Sequence, residues 1–401
     1  MSGQAQLSSL GLDDALLDAM IAARRHLHAH PELSNEEQQT QAFVLDWLER
    51  NGVRGARIVA GAGVAVDIVG GKHPSNRKLA IRADIDALPI DEESGVPFAS
   101  IRRGVMHACG HDAHTAMGLA AAAALNRTRD SFSGAIRIIF QPAEEAEPLG
   151  GRRVVQEEKL LDDVDAVLGI HVDPYLETGK IAAASGPYTL ASDIFDIVVH
   201  GRSAHAARSF EGVDAIAISA SIIAELQKLV SRETEAFDPL IVSVTSIQGG
   251  GAYNVLAEKV VLKGTIRSGA NETRQRAHFR VAAIAKGIAS AHGGSAEVTI
   301  MQGEPPVQND PEMVQLVREA FADLYGQEAF ASLPGWTAAD DFGFYSEVRP
   351  AVYFRLGVRN EAQGSIYPLH HPKFRIDEDA MSLGASTLVA AARRFLTSVS
   401  E

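Results

Sequence analysis

The sequence predicts an α/β protein with a central mixed sheet flanked by helices and a smaller α+β domain inserted into it. Three observations predict this architecture. Short apolar strands alternate with amphipathic helices in both terminal parts of the chain. Between them, residues 194–301 follow the order β-α-β-β-α-β of a ferredoxin-like domain. The chain has 401 residues, 46% of them hydrophobic, which is enough for more than one core.

The composition restricts the class of partner and the compartment. Lys and Arg number 37 against 51 Asp and Glu, so the formal net charge is −14, which disfavours nucleic acid and anionic membranes. The single cysteine excludes an intrachain disulfide and fits a reducing cytoplasm. The N-terminus lacks a basic segment followed by an apolar core, and the apolar runs are shorter than a membrane span. We therefore expect a cytoplasmic protein without a secretory signal.

Two helices are predicted at the N-terminal end. Apolar residues recur at helical spacing over 12–29, and Pro31 ends this helix. Ser34 and Glu37 have the spacing of a capping box, which predicts that they cap a second helix, 35–51.

Metal-competent side chains follow three predicted strands. Strands are expected over 63–70, 78–83, 136–140 and 166–170. Asp84 and Asp86 follow the second, Glu144 and Glu145 the third, and His171 directly follows the fourth. The carboxyl ends of buried strands are where α/β enzymes place their chemistry. Asp84 and Asp86 could instead cap a turn, but the repetition at successive strand ends favours a functional site.

Residues 106–114 contain the only cysteine and three of the 14 histidines. If the first half is extended, His107, Cys109 and His111 point to one side. The apolar run over 117–125 predicts a helix, whose N-terminal end favours a thiolate. Cys109 and His111 then form half of a metal site. These residues alone are equally consistent with a buried cysteine beside hydrogen-bonded histidines.

The rest of the chain supplies the inserted domain and the return to the first. Strands are expected over 194–200, 240–247, 260–266 and 296–301, with helices near 211–230 and 272–291. The segment Glu304-Pro305-Pro306 returns the chain, so we expect a catalytic domain at 1–186 and 304–401 and an inserted domain at 187–303. A helix over 311–325, a strand over 352–356, a loop with His370 and His371, and a helix over 377–397 follow.

Taken together, these motifs resemble the amidohydrolase branch of the co-catalytic metallopeptidase family. That branch includes hippurate hydrolases, N-acyl-amino-acid amidohydrolases and auxin-conjugate hydrolases. The motifs that carry the resemblance occur in the family's order along nearly the whole chain: 24–33, 82–89, 106–114, 141–145, His171, 201–205 and Leu369-His370.

The resemblance implies a zinc-peptidase-like catalytic domain with an inserted lid or dimerisation domain, in a homodimer or homotetramer. It implies two divalent ions per subunit, of manganese, zinc, cobalt or nickel. Glu144 is the implied general base. Asp86 is expected to contact a metal-binding residue and to fix its orientation. Asp84 stands where peptidase branches have a metal-binding histidine, and the roles of Asp84, His107, His114 and His371 stay open. The implied metal ligands are Cys109, His111, Glu145, His171 and His370.

The resemblance also implies substrate contacts from the inserted domain. His205 is expected to contact the oxyanion or the substrate carboxylate across a dimer interface, and Asn254 and Arg267 to hold that carboxylate. Arg267 could equally face solvent. At Ser209-Phe210, at Ala257 and over 339–342 the chain has residues other than those usual in the family. The resemblance therefore does not identify a specific substrate.

The leading hypothesis is a metal-dependent amidohydrolase that cleaves N-acyl or N-aroyl amino acids. A metallo-carboxypeptidase or dipeptidase of the same family is the main alternative. A cysteine hydrolase with Cys109 as nucleophile is another, although it gives Glu144, Glu145 and His171 no role. A non-catalytic binding protein on this fold is the third, because a fold does not determine a function.

Overall fold

The computed structural model describes residues 3–397, which form two compact units. The first unit extends to Gly186 and continues over Gln308–Gly335 and from Phe344 onward. The second unit comprises Pro187–Val307 and Trp336–Gly343. Residues 336–343, expected in the catalytic domain, belong to the second unit in the structure. Two-residue strands, Gly186–Pro187 and Gln308–Asn309, lie where the chain passes between the units.

An eight-stranded mixed sheet forms the centre of the first unit, as predicted. The four strands in its middle, from Ala135–Gln141 to Ala351–Arg359, are parallel and mostly buried, and more than half of their residues are apolar, as expected for strands covered by helices. Gly63–Val69 pairs antiparallel with this group. In spatial order the strands are Arg57–Val59, Gly63–Val69, Ala135–Gln141, Lys78–Asp84, Ala166–Glu177, Ala351–Arg359, Ile181–Ala182 and Phe330–Ala331.

The helix His111–Arg127 is buried along nearly its whole length. Its alanine-rich sequence explains this burial, because small side chains let it lie close to Asp14–Ala29 and Ala380–Thr397, against which it packs. The α-helices outside residues 187–307 are Gly3–Ser9, Asp14–Ala29, Gln38–Arg50, His111–Arg127, Gly150–Arg152, Pro311–Tyr325, Gly343–Val348 and Ala380–Thr397. Shorter helical turns occupy Arg129–Ser131, Arg153–Glu157 and Gln327–Ala329. Within the described residues, none of the helices has the length and apolarity needed to cross a bilayer.

The second unit has the element order β-α-β-β-α-β expected from the sequence. Its antiparallel sheet has the spatial order Ser295–Gln302, Asp193–His200, Lys259–Ser268 and Leu240–Gly249. The helices Ala215–Glu233 and Asn271–Ala291 pack on this sheet, and a 3-10 helix spans Ala206–Glu211. The buried carboxylate of Asp193 accepts hydrogen bonds from Arg274 and from the backbone of Gly303, which ties the first strand to the chain after the last one.

Two local predictions are wrong. Ser34 and Glu37 do not form a capping box: the second helix is Gln38–Arg50, and the Glu37 side chain makes no cap hydrogen bond. His171 does not follow its strand but lies inside it, because the strand continues to Glu177 beside Ala351–Arg359.

Candidate metal centre

Parallel strands bring the predicted site residues to one edge of the sheet. Lys78–Asp84 pairs in parallel with both Ala135–Gln141 and Ala166–Glu177, so its carboxyl end lies beside the carboxyl end of the former and beside the middle of the latter. The segments after the first two carry Asp86 and the pair Glu144 and Glu145, and the third carries His171. The start of the helix His111–Arg127 and the loop at His370 complete the cluster.

Cys109, His111 and His171 form the buried part of the cluster. The Cys109 Sγ lies 3.4 Å from the His171 Nε2, and one donor atom from each of the three residues lies within 4.8 Å of the others. Gly110 separates the first two with φ 86°, a left-handed conformation that starts the helix, and a Cβ there would lie 2.4 Å from Val172 Cγ2. The tight turn therefore requires glycine, and it aims the thiol and the imidazole at the same point.

Hydrogen bonds made by Nδ1 leave the Nε2 atom of both histidines directed into the site. The His111 Nδ1 lies 3.0 Å from the backbone oxygen of Asp86 and 3.2 Å from its Oδ1, so Nδ1 is the donor. The His171 Nδ1 donates to the backbone oxygen of Val172 at 2.7 Å. A metal-binding histidine is oriented in this way, with its second nitrogen donating to a carboxylate or carbonyl.

Glu144, Glu145 and His370 form the more open part of the cluster. The Glu145 Oε1 lies 3.4 Å from the His370 Nε2, and the Glu144 Oε2 lies 4.0 Å from the His111 Nε2. His370 is 52% exposed and has φ 62°, and its backbone N–H donates to the carbonyl of Ala108. This backbone contact joins the His370 loop to the segment that carries Cys109.

The cluster fits a divalent metal ion in charge and in donor type. Burial alone would lower the pKa of His111, but Asp84 and Asp86 outweigh it and raise the pKa to about 10. A proton and a metal ion compete for the same lone pair, so the negative charge that favours one favours the other. Within residues 3–397, the His111 Nε2 and the Glu145 Oε1 are buried without a hydrogen-bond partner. Thiolate, imidazole and carboxylate donors together suit zinc and related ions.

Asp86 lies behind the cluster and bonds two of its members as well as Ser34. Its Oδ1 faces the His111 Nδ1, and its Oδ2 accepts the backbone N–H of Glu145 at 3.0 Å and the Ser34 hydroxyl at 2.7 Å. Through the bond to the Nδ1, Asp86 can fix the orientation of the His111 ring.

Asp84 and His114 are engaged with each other and with the protein. The His114 Nδ1 donates to the Asp84 Oδ1 at 2.6 Å, and the His114 Nε2 accepts the N–H of Val172 at 2.9 Å. Both nitrogens of His114 are therefore occupied. The Asp84 Oδ2 pairs with Arg82 at 2.5 Å, and a positive guanidinium at this distance disfavours a metal cation on the same oxygen.

His107 and His371 do not join the cluster. The segment turns at Ala108 and Cys109, so side chains do not alternate as they would in a strand. His107 is buried, its pKa is lowered to about 4 by burial, and in the described part of the chain neither ring nitrogen has a hydrogen-bond partner. His371 stacks on Tyr367 with ring centroids 4.8 Å apart.

His205, Asn254 and Arg267 belong to the second unit. The His205 Nδ1 accepts the N–H of Ala207, and the backbone of Ala206 donates to the Asn254 carbonyl at 2.9 Å, so His205 and Asn254 are near neighbours. Arg267 is half-buried and its Nη1 donates to the carbonyl of Ile266.

Sequence reasoning missed two groups that support the centre. Glu37, assigned to a helix cap, accepts the N–H of Ala143 at 2.7 Å, and burial and then Asp86 raise its pKa to about 7. Arg24 and His28 both bond the Asp112 Oδ2 at 2.9 Å, and Asp112 directly follows His111 in the chain. Both residues lie in the 24–33 motif, which was a signal, but the sequence analysis assigned neither of them a role.

The chain is similar to known proteins both in sequence and in structure. The sequence profile of peptidase family M20/M25/M40 matches residues 80–394. The chain is 39% identical to N-acetyl-L-cysteine deacetylase from Bacillus subtilis, over 95% of this chain and 89% of that protein. It is 37% identical to thermostable carboxypeptidase 2 from Saccharolobus solfataricus, over 94% and 95%. Its structure is similar to that of a Bacillus subtilis dinuclear metal binding peptidase from the M20 family, with a TM-score of 0.84, 34% identity and coverage of 96% and 100%.

Proposed function

Because the chain belongs to peptidase family M20/M25/M40 and is a metal-dependent amide hydrolase, we propose that its substrates are N-acyl or N-aroyl amino acids. The observation that carries the proposal is the arrangement of Glu144 beside a cluster of thiolate, imidazole and carboxylate donors. A relative named for the deacetylation of N-acetyl-L-cysteine supports the same class of substrate.

Five residues would hold two divalent ions in two groups that share one ligand. Cys109, His111 and His171 form one group, and Cys109, Glu145 and His370 form the other. When bound, such ions lower the pKa of water and polarise the amide carbonyl. Manganese, zinc, cobalt and nickel all accept these donors.

Glu144 is the proposed general base. Its carboxylate lies 4.0 Å from the His111 Nε2, next to the ligands but not among the five. It would take a proton from the attacking water and deliver it to the nitrogen of the leaving amino acid. Glu145, the next residue, points towards His370, so the two adjacent carboxylates have separate tasks.

The second unit is proposed to act as the lid and dimerisation domain that binds the substrate carboxylate. Arg267 supports this role: its Nη1 donates to backbone carbonyls, and among the described residues its Nε and Nη2 have no partner. A free guanidinium edge suits a carboxylate. His205 and Asn254, which are neighbours in this unit, would supply further polar contacts.

A hydrolysis screen tests the proposal. N-acetyl, N-benzoyl and indole-acetyl amino acids are incubated with protein that has been stripped by a chelator and reloaded with manganese, zinc or cobalt. We expect release of the amino acid only after reloading, and a loss of about 10²–10⁴-fold in kcat for Glu144→Gln. Glu157→Gln, an exposed change of the same type, is the control. Full activity in thorough chelation, or an active Glu144→Gln variant, would contradict the proposal. An acyl group trapped on Cys109 would support the cysteine hydrolase instead.

The similarity to a thermostable carboxypeptidase favours a second candidate, a metallo-carboxypeptidase or dipeptidase. Both reactions cleave an amide whose leaving group is an amino acid with a free carboxylate. They differ on the other side of the bond, where a dipeptide carries an ammonium group and an N-acyl amino acid carries none. Comparing kcat/KM for acetyl-X, Gly-X and benzoyl-Gly-X with the same amino acid X separates the two functions.

A further inference from the structure

The turn at 142–145, which carries Glu144 and Glu145, includes a residue in an unfavourable conformation. Ala143 has φ 50°, in the left-handed region that residues with a Cβ rarely adopt. The backbone conformation at Ala143 sets the direction of the two side chains that follow it. Something must therefore hold this residue in place.

Both backbone polar groups of Ala143 are bonded. Its carbonyl accepts the N–H of Gly150 at 2.8 Å, and its N–H donates to the Glu37 Oε1 at 2.7 Å. Two residues later, the N–H of Glu145 donates to Asp86. Two buried carboxylates thus hold the turn, and they come from distant parts of the chain.

We propose that Glu37 is a positioning residue for catalysis, which fixes the 142–145 turn by accepting the N–H of Ala143 and so aims Glu144 and Glu145 at the metal site. This inference rests on the function proposed above. A carboxyl oxygen can accept this N–H whether or not the group is ionised, so the proposed role depends on the oxygen acceptor and not on its charge.

The environment of Glu37 is that of a buried carboxyl and not that of a helix cap. The side chain is fully buried, although it precedes the helix Gln38–Arg50, where a capping glutamate would be exposed. Its Oε2 has no hydrogen-bond partner among residues 3–397. Ser34, the other half of the expected capping box, bonds to Asp86, which holds the second N–H of the same turn.

Two substitutions of similar volume separate the hydrogen bond from packing. Glu37→Gln keeps an oxygen that can accept the N–H of Ala143, whereas Glu37→Met fills the space without a strong acceptor. Glu36→Gln changes the exposed neighbour and is the control. For each variant, thermal unfolding, the affinity for Co²⁺ and the Co²⁺ absorption spectrum are measured on metal-stripped protein, and kcat and KM are measured after reloading.

We expect Glu37→Met to fold, to bind Co²⁺ about 10–100-fold more weakly with a changed spectrum, and to lose kcat by a similar factor at unchanged KM. Glu37→Gln and Glu36→Gln should match the parent in Co²⁺ binding. A Glu37→Met variant with parental affinity and spectrum, or a Glu37→Gln variant as weak as Glu37→Met, overturns the proposal. If the parent cleaves none of the substrates, the proposed function fails, but the Co²⁺ measurements still test the role of Glu37.

Discussion

Asp84 balances a buried positive charge, and the change Asp84→Asn tests this account. Asp84 and Arg82 are fully buried, with a 2.5 Å contact between the Asp84 Oδ2 and the guanidinium. Asparagine keeps an oxygen that can accept from His114 but removes the charge and places an amide against Arg82. Because the buried Arg82 guanidinium loses this carboxylate partner, we expect the free energy of unfolding to fall by about 3–5 kcal/mol.

The measurement is urea unfolding in the presence of a chelator, so that metal binding does not contribute. The chain has two tryptophans, and Trp336 lies in the second unit, so a Trp336→Phe background makes the fluorescence of Trp47 report on the first unit. Asp46→Asn removes an exposed partner of Arg50 and is the control, with an expected change below about 0.5 kcal/mol.

A double-mutant cycle completes this test. Arg82→Met alone removes a cationic partner of the buried Asp84 carboxylate and should also be strongly destabilising. The double variant Arg82→Met/Asp84→Asn should lose less than the sum of the single variants, by about 0.5–3 kcal/mol. Additive losses, or a loss below about 1 kcal/mol for Asp84→Asn alone, would refute the charge-balance argument.

Two further predictions concern the first unit's buried network and the 150–152 helix, with one control in the second unit. Burial would lower the pKa of His28, but the Asp112 carboxylate raises it, so the stabilisation from the charged ring is complete below about pH 6.5 and is lost as the pH rises through the raised pKa. The difference in unfolding free energy between the parent and His28→Gln should shrink with increasing pH, and a difference that grows would contradict this sign. Gly150→Ala should weaken Co²⁺ binding and destabilise the fold by about 1–3 kcal/mol, since its Cβ would lie 1.7 Å from the Pro142 carbonyl oxygen. Gly287→Ala is the control, because it lies in a helix and its new Cβ would have no packing neighbour within 4 Å; it should be neutral or stabilising by up to about 1 kcal/mol. Equal losses of stability for Gly150→Ala and Gly287→Ala would contradict the predicted clash with Pro142.

Most helices and strands could be predicted because apolar residues recur along them with the period of a helix or of a strand. The strands 194–200 and 240–247, for example, were expected within a few residues of their observed bounds. Local sequence patterns could not predict which strands and segments pair with others that are distant in the chain. The strand that contains His171 continues past it only because Ala351–Arg359 lies alongside. The segment Trp336–Gly343 joins the second unit through contacts that no periodicity records.

The candidate site was predictable to the extent that it depends on strand ends. Adjacent parallel strands have their carboxyl ends at the same edge of the sheet, whatever the conformation of the connecting loops. Glu145 and His171 were therefore expected to lie close together. The supporting residues were not, because their partners are chosen by tertiary structure. Ser34 and Glu37 have the right spacing for a local cap, yet they bond to Asp86 and Ala143 instead.

The order of the strands in the large sheet has a consequence for synthesis on the ribosome. Val167 pairs with Ala351, so one of the central strands of the sheet is translated long after its neighbour. Contacts between such distant parts of a chain form slowly. The edge of Ala166–Glu177 therefore stays unpaired until Ala351–Arg359 has been synthesised. The sheet of the second unit, in contrast, is complete once Gln302 has emerged. We therefore expect nascent chains that end before residue 351 to contain a folded second unit beside an incomplete first one that depends on chaperones.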